Sequence, residues 1–277
     1  MMDDAERSNH PAPGEPDQLV ADGRAVRDRG VREAERLREA YRRRGPVEAR
    51  LRGNPGQNAI IQERDEAILD LLTGGGHPPT SLLDVGCGEG TTLSMLQQRL
   101  SLDRAVGIDL LPERVGRARQ AWPTIEFLVA DGARLPFPEA SFDAVLAMTV
   151  FSSVADADRG ALIEEMARVL TPSGRIVWYD MRRPSPANPD VRPFVRSEVE
   201  TLLPGWTVMA EPLTVVPPLA RRLGPFTSVG YRVLARIPVF LTHEAGAAWR
   251  SSSGADDPGR ISVREDAPAA ATSLDRA

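Results

Sequence analysis

The chain has 277 residues, 42% of them apolar, a formal net charge of −5 and a single cysteine. That length supports a sizeable core, the acidic balance argues against a general nucleic-acid binder, and one cysteine excludes an internal disulfide framework. All 34 basic residues are arginine. Residues 1–20, beginning MMDDAERSNHPAPGEP, are acidic and polar. They read as a tail rather than a secretory leader, and 251–277 read as a second tail. No run approaches the roughly 20 apolar residues that span a bilayer, so a cytoplasmic protein without membrane insertion is expected.

Between about Gln18 and Arg52 arginine alternates with acid, the pattern of a charged helix with i,i+4 pairs. Arg42, Arg43 and Arg44 there offer either a grip on an anion or a solvated face. A second helix is predicted over Asn58–Leu72, with Ile60, Ile61, Ala67, Ile68, Leu71 and Leu72 at helical spacing. Residues 21–76 thus read as an N-terminal helical cap, and 77–250 as the main domain. Short apolar runs then recur at Ser81–Val85, Ala105–Ile108, Ile125–Val129, Ala144–Met148 and Arg175–Tyr179. Helical stretches Thr91–Leu100, Pro112–Gln120 and Arg159–Leu170 lie between them. This alternation predicts an α/β fold, a parallel sheet with helices on both faces. Ligands of such sheets bind beyond the carboxyl ends of the strands.

The first run ends in Asp84-Val85-Gly86-Cys87-Gly88-Glu89-Gly90. Glycines at alternating positions let backbone approach a ligand, and the next helix presents free N–H groups. Dinucleotide loops space their glycines G-x-G-x-x-G. Here the spacing is G-x-G-x-G, with Thr91 following and Asp84 two residues ahead. Both details favour S-adenosylmethionine over NAD. Asp109 ends the second run about 20 residues on, where a carboxylate accepts from a ribose diol, and Leu110 would wall the adenine. Asp131, Gly132 and Ala133 follow the third run, placed to meet the adenine amino group. The fourth delivers Ala147, Met148 and Thr149 beneath the cofactor. Cys87 belongs to the cofactor-binding loop and reads there as a small filler rather than a nucleophile.

The pieces LLDVGCGEG, GIDLLPERVGRAR, LVADGARLPFPEASFDAVLAMTVFSSV and EEMARVLTPSGRIVWYD, between Ser81 and Asp180, resemble the class I methyltransferases of the type 11 family. The resemblance implies a Rossmann-like, seven-stranded, mostly parallel sheet with an antiparallel last strand. It also implies S-adenosylmethionine as methyl donor and S-adenosylhomocysteine as product, with cofactor roles on Asp84, Gly86, Gly88, Asp109, Asp131 and the segment after the fourth strand. Many relatives carry His where this chain has Ser152 and Ser153, so any base placed there is absent here.

Methyl transfer from a sulfonium is an in-line displacement that needs a positioned acceptor and, for hydroxyls, a base. No metal-ligand constellation is visible: the histidines are His10, His77 and His243. Thr207–Val215 reads as strand six, 217–241 as an insertion over the active site, and the run from Thr242 to Arg250 as strand seven. An antiparallel last strand starts at the carboxyl edge, which makes His243 the candidate base, or else a structural histidine. Tyr179 and Asp180 end strand five at that edge. On the N-terminal helices, Tyr41 and Arg64 would close over the cofactor, with Arg64 pairing either the methionyl carboxylate or an acidic neighbour. Arg182, Arg183, Arg192, Arg196, Arg221 and Arg222 suit an anionic acceptor. The expected activity is methylation of a small molecule, first on oxygen in a glycan, natural-product or similar hydroxyl or carboxylate. The alternatives are C- or N-methylation of a quinone, polyketide or peptide, and a non-catalytic S-adenosylmethionine-binding regulator or partner subunit. RNA is disfavoured, because no aromatic-basic platform shows. The oligomeric state is not written in the sequence.

Overall fold

A computed structural model of the chain describes residues 31–40, 42, 53–74, 78–185 and 191–250. Both expected tails, Tyr41, Arg43, Arg44, His10 and His77 lie outside them. The chain divides into two units, Met1–Arg43 and Arg44–Ala277. In the first, residues 31–40 are helical, Arg36 pairs with Glu33 and Arg42 with Glu39. Both are i,i+3 contacts, one residue closer than the i,i+4 pairs that the charge alternation predicts.

The second unit opens with α1 (Pro55–Thr73). Asn54 caps it, its side chain accepting from the Gln57 N–H at 3.0 Å, and Pro55 supplies the preset φ of a first helical turn. Strands β1 (Ser81–Val85), β2 (Arg104–Asp109), β3 (Glu126–Val129), β4 (Phe142–Met148) and β5 (Leu170–Met181) follow. They alternate with α2 (Thr91–Arg99), α3 (Pro112–Ala121) and α4 (Asp156–Val169). Then come α5 (Arg196–Leu202), β6 (Trp206–Val215), α6 (Pro217–Arg222), α7 (Thr227–Leu234) and β7 (Leu241–Arg250).

The seven strands form one sheet in the order β3-β2-β1-β4-β5-β7-β6. Only β7 runs against its neighbours, pairing antiparallel with both β5 and β6. Successive strand residues face opposite sides, and this sorts the core into two layers. Leu82, Val177, Tyr179, Ala245 and Ala247 pack against α1, α2 and α3. Leu83, Val85, Ala147, Trp178 and Ala248 pack against α4 and α5. Ile68, Leu71 and Leu72 bring α1 onto the sheet with no more than 2% exposure, each contributing about 1.5–3 kcal/mol. The stretch between β6 and β7 forms a third cluster, in which Val215, Ala220, Tyr231 and Leu241 enclose Ile60 of α1. Gly56 is where α1 meets α6: a Cβ there would fall 1.9 Å from the Ala220 carbonyl oxygen.

Candidate functional site

The register carries the carboxyl ends of the strands to one edge. Val85 pairs with Ala147, Met148 with Tyr179, and Met181 with His243. The glycine loop, the turn after β4, the end of β5 and the start of β7 therefore lie along the same rim.

At the loop, Gly86, Gly88 and Gly90 have φ of 72°, 60° and 77°, a region that side chains other than glycine enter at a cost. At Gly88 space is short as well, since a Cβ would lie 2.5 Å from Arg114 Nη2. The Cys87 N–H donates to the Ile108 carbonyl at 2.8 Å, pinning the loop to the end of β2. Asp109 completes the tie. Its Oδ2 accepts from the Gly88 N–H and its Oδ1 from the Leu111 N–H, both at 2.9 Å, and Arg114 lies 3.7 Å from Oδ2. Each oxygen retains a second lone pair for a ligand.

Asp84 is 2% exposed. Burial, and secondarily the nearby Asp109 charge, push its carboxyl up to about 8, and no hydrogen bond is among the causes acting on it. A buried acid without such compensation is costly unless a ligand supplies a donor. The Cys87 thiol is driven up by burial first and then by Asp84 and Asp109, which removes nucleophilic character. Asp131 Oδ1 accepts from the Ala133 N–H at 2.9 Å, an Asx turn that aims the loop after β3. Gly132 passes so close to β1 that an added Cβ would stand 3.1 Å from Val85 Cγ1. Ala147 is buried at the end of β4. Thr149 follows with φ of 54°, a strained choice for a β-branched residue. Its N–H donates to the Tyr179 carbonyl at 2.7 Å and its hydroxyl to the Met148 carbonyl at 2.7 Å.

Tyr179 and Asp180, read together from the sequence, point to opposite faces. Tyr179 lies on the α1 side with its ring stacked on His243, the centroids 4.7 Å apart and the planes 7° from parallel. Asp180 lies on the other face, its Oδ2 accepting from the Ser152 N–H at 3.2 Å. Burial raises Asp180 to about 6, against the lowering effect of its Ser152 and Met181 hydrogen bonds and of Arg159. It steadies the 3-10 turn Phe151–Ser153 and does not orient His243. Ser152 and Ser153 hold the turn together: the Ser152 side chain hydrogen-bonds Asp180 and its carbonyl accepts from the Arg192 N–H, and the Ser153 hydroxyl donates to the Thr149 carbonyl at 3.1 Å.

His243 is lowered to about 4 by burial first and Arg64 second, so its imidazole is neutral at pH 7. Its Nδ1 lies 3.0 Å from Thr242 Oγ1, and that hydroxyl donates to the Thr214 carbonyl at 3.2 Å. A hydroxyl has one hydrogen to give. With it directed at Thr214, Nδ1 carries the proton and Nε2 holds the lone pair. Arg64 itself donates Nε and Nη2 to Asp65, at 2.8 and 2.6 Å.

Three residues that sequence reasoning passed over build the floor beneath this histidine. Thr214, buried in β6 with φ of 66°, shares a 2.7 Å hydrogen bond with the Tyr179 hydroxyl. Its N–H donates to Glu63 Oε2 at 2.9 Å, and the Tyr231 hydroxyl donates to the same oxygen at 2.7 Å. Burial raises both tyrosines above their ordinary range. Tyr179 is therefore a neutral platform rather than an acid. A fourth, Arg159, is 3% exposed; its Nη1 donates to both Glu198 carboxylate oxygens at 2.8 and 3.0 Å and its Nε to the Phe151 carbonyl.

Of the arginines expected to favour an anion, Arg183 donates to the Val239 carbonyl, Arg192 to Asp156, Arg196 to Glu200 and Arg221 to Gln57. Arg182 differs: its Nε and Nη1 are buried without a hydrogen-bond partner. Among the described residues no group of three His, Cys, Asp or Glu is placed to hold a metal ion, and no helix is long and apolar enough to cross a membrane.

A family model described as a methyltransferase domain matches residues 82–174. The demethylmenaquinone methyltransferase of Deinococcus radiodurans is 32% identical over 179 residues, covering 59% of this chain and 73% of that protein. The 2-methyl-6-phytyl-1,4-hydroquinone methyltransferase of Synechocystis sp. is 29% identical over 160 residues, covering 55% of this chain but only 49% of its own length. Geranyl diphosphate C-methyltransferase from Streptomyces coelicolor A3(2), solved with Mg2+, geranyl diphosphate and S-adenosyl-L-homocysteine, shares the fold at a TM-score of 0.54. It has 18% identity over 70% of this chain and 82% of that one. The matched segment holds the glycine loop, both strand-end acids and β4, and with the Deinococcus relative matched over 73% of its length at 32% identity the chain belongs to the class I S-adenosylmethionine-dependent methyltransferases.

Proposed function

We propose that this enzyme methylates a quinone-type aromatic acceptor in its hydroquinone form, on a ring carbon. The observation that carries the reading is the His243–Tyr179 stack: a neutral imidazole with Nε2 as its lone-pair nitrogen, at the rim of the sheet, beside an apolar cluster. A flat, largely apolar acceptor suits such walls. The names of the Deinococcus and Synechocystis relatives point to the same class.

The residues present fit the cofactor on two counts: the buried Asp84 carboxylate, whose shift no hydrogen bond offsets, and the Asp109 carboxylate, whose oxygens each take one backbone N–H and keep a second lone pair. In this reading Asp84 faces the methionyl ammonium, and the N–H groups of the glycine loop and the start of α2 face the methionyl carboxylate. The remaining lone pairs of Asp109 accept from the ribose hydroxyls beside Leu110. Asp131, Gly132 and Ala133 flank the adenine, and Ala147, Met148 and Thr149 floor the site. Arg64, engaged with Asp65, acts at a distance through its charge. Bound S-adenosylmethionine supplies a methyl group on a positively charged sulfur that departs as a neutral thioether. His243 Nε2 accepts the acceptor's hydroxyl proton, which raises electron density on the adjacent ring carbon; once that carbon has taken the methyl group it sheds its own hydrogen as a proton, the hydroxyl is restored, and one proton leaves overall. Tyr179 holds the imidazole in plane, and Thr242 fixes its tautomer.

A second reading, O-methylation of an anionic hydroxyl or carboxylate acceptor, is favoured by the partnerless Nε and Nη1 of Arg182. One experiment separates them. The protein is incubated with methyl-labelled S-adenosylmethionine and, in parallel, a prenylated 1,4-naphthohydroquinone lacking its ring methyl and a panel of anionic hydroxy acids. Mass spectrometry should place the label on the quinone ring carbon. Transfer only to oxygen of the acids, or binding of the cofactor by calorimetry with transfer to neither, overturns the proposal.

A further inference from the structure

The segment between β6 and β7 is apolar on two sides. Inward, Thr227, Tyr231 and Ala235 recur every four residues and are buried. Outward, Phe226 is 74% exposed, Val229 65% and Val233 53%, followed by Ile237 and Val239 at the tip. Phe226, Val229 and Val233 stand at i, i+3 and i+7 and therefore form one ridge. A helix on a protein surface normally turns polar residues to water, and a contiguous exposed apolar patch marks a contact surface. Arg183 donates to the Val239 carbonyl, which holds the tip in place.

The charge carried by this segment has one sign. No acid occurs between Glu211 and Glu244, whereas Arg222, Arg232 and Arg236 are exposed there. Arg232 lies three residues beyond Val229 on the same helix and hence beside it. In a chain of net charge −5 this is a local reversal. A second copy docking on the same ridge about a two-fold axis would set these arginines against each other. A bilayer with anionic headgroups is complementary on both counts: the ridge enters the acyl boundary and the guanidinium groups stay at phosphate level.

We propose that the β6–β7 insertion is a peripheral docking surface for anionic phospholipid membranes. The surface is independent of the acceptor's identity, so it stands or falls separately from the hydroquinone reading. The test is co-sedimentation of the full chain with phosphatidylcholine vesicles, with or without phosphatidylglycerol. Binding is expected only with phosphatidylglycerol and should weaken with salt. The variants V229D/V233D and R222Q/R232Q/R236Q should each lower the partition coefficient at least about tenfold. Calorimetric affinity for S-adenosylmethionine should stay unchanged and certify the fold. Absence of binding to anionic vesicles, or equal binding by both folded variants, overturns the proposal. So does a concentration-dependent dimer lost in V229D/V233D, which would assign the ridge to a second copy. Retention on an immobilised acidic polypeptide but not on vesicles would assign it to a protein partner and overturn it too.

Discussion

The Gly88 N–H donates to Asp109 Oδ2 at 2.9 Å, so the glycine loop after β1 is shaped by a side chain from the end of β2. Asp109→Ala should do more than remove a ligand contact. The N–H groups of Gly88 and Leu111 would lose their acceptor, at about 1–3 kcal/mol for each buried donor. Urea denaturation should show that loss in the absence of cofactor, and calorimetry should show S-adenosylmethionine affinity reduced by at least roughly tenfold.

Asp84 sets stability against binding. Its carboxyl titrates near 8 in the fold and near 3.9 in an unfolded chain. The folded state therefore keeps a proton that the unfolded state has released, and stability falls as pH rises from about 4 to 8. Asp84→Asn removes this ionisation cost. The variant's melting temperature should exceed that of the parent at pH 8 and match it near pH 4, while cofactor affinity drops at both. A melting temperature lowered at pH 8 would refute the burial argument.

For His243 the sign is opposite in origin. Its folded value is about 4 against about 6.5 unfolded, so stability is complete above 6.5 and declines as pH falls from there to 4. The imidazole is already deprotonated throughout the neutral range, and kcat should be flat between about pH 5.5 and 8. His243→Ala should lower kcat by roughly 10²–10⁴ with cofactor affinity preserved. Unchanged turnover at saturating acceptor would remove His243 from the chemistry.

Thr214 connects β6 to the Tyr179 platform and to Glu63. Thr214→Val keeps the branched shape and deletes the hydroxyl, leaving the Tyr179 hydroxyl unmatched in a buried setting. A loss of about 1–3 kcal/mol in chemical denaturation is expected. Thr214→Ser retains the bond and should restore most of it.

The strands were legible where a short apolar run ended in Gly or Asp. Ser81–Val85 has the same limits in sequence and structure, and β7 opens one residue before Thr242. β5 begins at Leu170 rather than Arg175, because Leu170 pairs with Phe142 across a register shift that Thr171-Pro172-Ser173-Gly174 does not advertise. Helix α5 carries one buried residue, Val199, too little periodicity to stand out. Adjacent strand residues face opposite ways, and that rule alone separates Tyr179 from Asp180. The floor of Glu63, Thr214 and Tyr231 could not be read locally: its hydrogen bonds join positions 151 and 168 residues apart, each in a segment with no motif of its own.

The contact at Gly56 has a mechanical consequence. With only hydrogen between the α1 backbone and the Ala220 carbonyl, and with Asn54 and Gln57 bonded to Arg221, α1 and α6 are one rigid lever. Any opening of the rim that lifts α1 must carry the insertion with it, so admission of the acceptor and movement of the arginine-flanked ridge become a single displacement.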